Sequence, residues 1–158
     1  MVEVEVLRVF FDFVSASAMV ILMNREKDRV LPIWIGIFEA QAIQSAIESE
    51  EFRRPLTHEL LKSVIYALNG KVKYILITDV VDNTFYSRVF LEKGGALLDI
   101  DSRPSDAICL AMKSKSKVFV SEKIYGMFEA REIFEKKLKE DFYNLFLNNI
   151  NKDDLKKA

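Results

Sequence analysis

The chain has 158 residues, half of them hydrophobic and 30% charged, a balance that supports one domain with its own core and excludes a disordered chain. A net charge of −1 supplies no protein-wide positive field, so any polyanion would have to be bound by a local patch. The lone cysteine, Cys109, and lone histidine, His58, exclude an intrachain disulfide and a structural zinc site.

No run approaches the roughly 18 apolar residues of a membrane helix. The start, with Val2, Val4 and Val6 alternating with Glu3 and Glu5, is no secretion signal, so a cytoplasmic protein is expected. That alternation has the period of two of a half-buried strand. The apolar set then moves to Val9, Phe11 and Phe13, a change of parity that predicts a bulge or a change of sheet face. Residues 19–23 and 29–35 read as strands joined by a polar hairpin turn over 24–28. Gly36 ends the second of them, and a helix follows from Phe38 to about Ser49 with Ala40, Ile43 and Ile47 at helical spacing.

A charged loop over 50–54 leads to Pro55 and a second helix. Thr57 reads as its N-cap, Asn69-Gly70 as its stop, and Leu61, Val64 and Leu68 as its buried stripe. Residues 71–81 read as a strand, Asp82-Asn83 as a turn, and 84–91 as the returning strand. Gly94-Gly95 is a further hairpin turn before a strand over 96–101. Ser102 or Arg103 then caps a third helix, with Pro104 near its first position, running to about Lys113. A short strand covers 117–120, and Ser121 caps a turn or short helix. From 127 to 150 the pattern is amphipathic and helical, broken or bent.

The pattern predicts an α+β domain over 1–123, a mixed and largely antiparallel sheet with helices packed on it, and a helical extension over 124–158. Ile35, Ala42, Ile43 and Ala46 recur 65 residues on as Ile100, Ala107, Ile108 and Ala111, which leaves open a duplicated hairpin–helix unit. In the last helix Phe134, Leu138, Phe142 and Leu145 form a core stripe. Tyr143, Phe146, Leu147 and Ile150 widen it beyond one contact face, from which a homodimer through that helix is expected.

Asp99, Asp101, Arg103, Ser105 and Asp106 crowd one strand-to-helix junction. Two readings stand side by side: acids complementing a positive helix end with Arg103 neutralising one of them, or a carboxylate cluster holding a divalent cation with Arg103 binding phosphate. Glu39 occupies the matching place after the first hairpin. His58, the one side chain that titrates near neutrality in its ordinary state, starts the intervening helix, with Arg53 and Arg54 on the loop before it. Trp34 is expected to pack in the core, with base stacking as the other use. Cys109, among apolar neighbours, reads as an inert core residue.

Three segments, RVLPIWIGIFEAQAI (29–43), RPLTHELL (54–61) and DSRPSDAI (101–108), closely resemble the bifunctional nuclease domain family in content, order and spacing, over roughly residues 1–123. The resemblance implies a small α/β nuclease acting on DNA, RNA or both, as plant members are described to do, and it carries over Glu39, His58, Asp101, Arg103 and Asp106. The expected roles are catalysis for Glu39, His58, Asp101 and Asp106, with His58 as general acid or base. Arg103 and Arg54 would bind phosphate, and Glu39, Asp101 and Asp106 would hold Mg²⁺ or Mn²⁺. The rival reading is a non-catalytic regulatory module whose polar cluster grips a phosphate-bearing ligand.

Overall fold

In the computed structural model, which describes residues 1–12 and 15–149 and the side chains of these up to residue 141, the alternating start is strand β1 (Val2–Asp12). It pairs antiparallel with β2 (Ser17–Asn24), and the register shifts between Val6 and Arg8, where the sequence changes parity. Strand β3 (Arg29–Ile35) returns beside β2. Buried Asn24 closes that hairpin: its Oδ1 accepts the backbone N–H groups of Asp28 and Arg29 at 3.2 and 2.9 Å, and its Nδ2 donates to Asp28 Oδ1 at 2.7 Å.

Helices α1 (Ile37–Ile47) and α2 (Thr57–Ala67) precede a second meander of β4 (Gly70–Val81), β5 (Thr84–Lys93) and β6 (Ala96–Ser102). Both of its turns, Asp82-Asn83 and Gly94-Gly95, have two successive positive φ angles, the conformation that matches strand twist in a two-residue hairpin. Helix α3 (Pro104–Ser114) crosses to β7 (Lys117–Val120), followed by α4 (Glu122–Tyr125), β8 (Glu129–Ala130) and α5 (Arg131–Asn149). The strands make one eight-stranded sheet in the order β6-β5-β4-β7-β1-β2-β3-β8. Only the β4–β7 pair is parallel, so the fold is α+β with a mixed, mostly antiparallel sheet.

α1, α2 and α3 cover one face, over a core that includes Leu22, Ile33, Ile43, Ile75, Ile77 and Ile108. At about 1.5–3 kcal/mol for each large aliphatic side chain buried, this core is the main stabilising term. α3 is buried from Ala107 to Ala111, and its small residues let α1 approach until Cys109 Sγ donates to Ala42 O at 3.5 Å. On the opposite face Met19, Ile21, Met23 and Val30 pack under Phe134 of α5, with Leu138 against them. Residues 142–150, which include the apolar side chains expected to form a dimer face, lie outside the described side chains.

Several local expectations change. The N-cap of α2 is Leu56, because Glu59 Oε2 reaches back to accept the Leu56 N–H at 2.8 Å. Its expected stripe is not buried: Leu61, Val64 and Leu68 are 42%, 45% and 58% exposed, and Ile65 alone enters the core. The helix is rotated because its polar residues have partners inward, on α3. The segment after Met127 pairs first as β8 with Arg29 and Val30, so the last helix begins at Arg131, whose N–H donates to Asp28 O at 2.8 Å.

The two meanders each end in a helix, with Gly36 and Arg103 as N-caps. Aligning those caps places Glu39 and Asp106 at the same third helical position, two residues out of register with the 65-residue sequence match. No helix among the described residues is long and apolar enough to cross a membrane.

Candidate active site

Arg103 enters the site as the N-cap of α3, and Pro104 at the first helical position presets the turn. One turn further in, Asp106 sits where the positive helix end favours a carboxylate. Arg103 Nε donates to Asp106 Oδ2 at 2.8 Å, and Arg103 Nη1 donates to Glu39 Oε1 of α1 at 2.9 Å. Asp106 Oδ1 lies 3.2 Å from Nε2 of His58, in the first turn of α2. Three helix starts therefore bring Glu39, Arg103, Asp106 and His58 into one connected polar cluster. Gly36 is part of it, since a Cβ there would collide with Glu39 Oε2.

The Asp106 hydrogen bond and charge, then the Glu39 hydrogen bond, push the Arg103 pKa further up. The Arg103 side chain nevertheless stays two-thirds exposed, whereas the His58 side chain is only 14% exposed. Of its five N–H groups two are used by the carboxylates, and three remain for an incoming anion. Asp106 orients the imidazole through Nε2 and leaves Nδ1 for proton transfer.

Beside this cluster lies an ion pair that the sequence reading missed. Lys113 Nζ, on a side chain 10% exposed, bonds Glu59, and Lys62 Nζ donates to Lys113 O at 2.8 Å. Burial pushes the Glu59 carboxyl up, but the hydrogen bond and charge of Lys113 and the Leu56 N–H together hold it below the ordinary range. The spacing of Glu59 three residues after the cap was the available signal.

Asp101 does not join the cluster. Val89, opposite Ile100 of β6, is buried under the helices, so the alternating neighbours Asp99 and Asp101 project from the other sheet face. There Arg88 holds them, Nε to Asp99 Oδ1 at 2.5 Å and Nη1 to Asp101 Oδ1 at 3.6 Å. The expected Glu39–Asp101–Asp106 metal set is thus not assembled. Among the described residues no group of three or more His, Cys, Asp or Glu is placed to hold a metal ion. Arg54 is exposed on the loop before α2.

Trp34 faces away from Ile33 as its alternation requires, but it is 65% exposed and does not pack in the core. Phe38, next to Glu39, is 83% exposed. Cys109 is fully buried, and that burial pushes its thiol pKa up to about 12.

Residues 20–132 match the bifunctional nuclease domain, a span that contains Glu39, His58, Arg103 and Asp106, and the chain belongs to that family. It is 30% identical over 163 aligned residues to an uncharacterized protein of Mycobacterium tuberculosis strain H37Rv, with 98% of each chain covered. It is also 28% identical over 116 residues to Bifunctional nuclease 1 of Oryza sativa subsp. japonica, covering 72% of this chain and 35% of the rice protein. With Bifunctional nuclease 1 of Arabidopsis thaliana it shares 25% identity over 114 residues, covering 70% of this chain and 35% of the plant protein.

Proposed function

We propose that the chain is a nuclease that hydrolyses phosphodiester bonds in DNA or RNA at the Glu39–Arg103–Asp106–His58 cluster. The observation that carries this reading is the double use of Asp106, which holds the only histidine with one oxygen and an exposed guanidinium with the other. His58 would take a proton from an attacking water at Nδ1 while Asp106 stabilises the charge that develops on the ring. The water oxygen forms a bond to phosphorus, the scissile P–O ester bond breaks, and the proton passes from His58 to the departing oxygen. Arg103 would meet the equatorial phosphate oxygens with its three free N–H groups, and Glu39 fixes the plane of its guanidinium. Phe38, exposed beside Glu39, offers a face on which a base could stack.

A cage of three carboxylates for Mg²⁺ or Mn²⁺ does not fit these residues. Glu39 and Asp106 are engaged by Arg103, and Asp101 is on the other sheet face. The exposed Arg103 side chain, with three N–H groups to spare, favours as second reading a module that binds a phosphate-bearing ligand without turnover.

The test is cleavage of end-labelled single- and double-stranded oligonucleotides by clean recombinant protein, run with EDTA, Mg²⁺ and Mn²⁺ in parallel. Product formation lost in His58→Ala and Arg103→Met, with unchanged melting, supports the nuclease. Absence of cleavage in every arm, with Arg103-dependent binding of a mononucleotide, supports the second reading.

A further inference from the structure

α2 is polar toward its own domain and apolar toward solvent. Its charged-type side chains all face α3: His58 on Asp106, Glu59 on Lys113, and Lys62 on the Lys113 carbonyl. The outward side carries Leu60, Leu61, Val64 and Leu68, each between 42% and 58% exposed, with no charge among them. The polar cluster therefore dictates which way the helix faces, and this apolar stripe is left without cover among the described residues.

A second uncovered surface lies at the edge of the sheet. β6 ends the sheet and pairs only with β5, so one row of its backbone N–H and C=O groups is open. Leu98 and Ile100 of β6 stand directly beside Leu91 and Val89 on the helix-covered face. Their neighbours are buried, yet these two are 43% and 44% exposed: the helix layer stops one strand short. Ile65 of α2 belongs to the same core cluster as Val72 of β4 and Leu91 of β5, and Leu91 is the cross-strand neighbour of Leu98.

We propose that a second copy of this chain covers both surfaces, with β6 pairing antiparallel to its counterpart across a two-fold axis and the α2 stripes meeting above the joined strands. Three features favour a second copy over an unlike partner. An open antiparallel edge is its own complement under two-fold symmetry. The α2 stripe carries no charge to repel its copy, and the net charge of −1 adds little repulsion. Six large side chains about half exposed amount to roughly 500 Å² of apolar surface, the apolar share of an interface of about 800 Å² per partner.

Light scattering of the full chain at micromolar concentration should read the mass of two chains. Val64→Asp and Ile100→Asp, at half-exposed positions, should each read one chain with the far-ultraviolet circular dichroism unchanged, a weakening of at least about 100-fold. Hydrogen exchange of the wild type tests the same contact without a substitution: the amides of β6 and α2 should exchange more slowly as concentration rises. A wild-type mass of one chain, or exchange in β6 and α2 independent of concentration, would overturn the proposal. So would a dimer that survives both substitutions but is dissociated by Phe146→Asp, since its contact would lie on the last helix.

Discussion

Glu39 and Asp106 occupy the same third position of two helices that each follow a hairpin, and both bind the one guanidinium of Arg103, at 2.9 and 2.8 Å. A single arginine thus joins the ends of the two meanders. Loss of either acid should release Arg103 and loosen the cluster before it loosens the core, which lies beneath it.

Asp106→Asn keeps the shape of the side chain while removing the charge that holds Arg103 and His58. Oligonucleotide cleavage should fall by about 100-fold or more, while thermal melting should report a loss of only about 1 kcal/mol, because the ion pairs are partly solvated. Unchanged cleavage would place the chemistry elsewhere.

Gly36→Ala tests the packing of Glu39. The added methyl collides with Glu39 Oε2, and the flexible carboxylate, not the backbone, is what moves. Activity should drop to the level of Glu39→Gln, with stability changed by less than about 1 kcal/mol. A large fall in melting temperature with activity per folded molecule intact would show that the glycine serves the backbone alone.

The Glu59–Lys113 pair makes stability depend on pH in a defined direction. Glu59 titrates lower in the folded chain than its ordinary value of 4.5, so its contribution is present above that value and is lost as the pH falls through the folded value. Glu59→Gln should cost about 1–2 kcal/mol near pH 7, where it leaves Lys113 without its acid. Chemical denaturation from pH 7 to pH 3 should show the gap between wild type and variant closing below about pH 4.5.

Cys109 should resist thiol reagents while the domain is folded. Its full burial and a thiol pKa of about 12 leave almost no thiolate at pH 8. Labelling with a disulfide reagent should proceed only at the rate of unfolding and reach one equivalent in denaturant. Rapid labelling of native protein would show that α3 is not packed against α1 as described.

Much of the site was legible because its residues stand at helix starts, which capping and turn residues mark in the sequence: Gly36 before Glu39, Pro55 before His58, Pro104 before Asp106. Asp101 lies outside the cluster for a specific reason. Its shared face with Asp99 follows from alternation, but alternation does not say which sheet face the helices cover, and that is decided by the crossover of α3. For α2 the spacing of Leu61, Val64 and Leu68 revealed a stripe without revealing its direction. The direction depends on where His58, Glu59 and Lys62 find partners, on residues 48 or more positions further along the chain.

By itself the sequence determined the first seven strands, the tight turns, the three helix starts and the kinship carried by its three segments, because these rest on local propensity and short-range spacing. Only the tertiary structure decided which start meets which. Insertion of β7 between β1 and β4 sets the two meanders side by side, and the small residues of α3 let α1 approach until Glu39 reaches Arg103. Those contacts join residues far apart in the chain, and no local period encodes their distance.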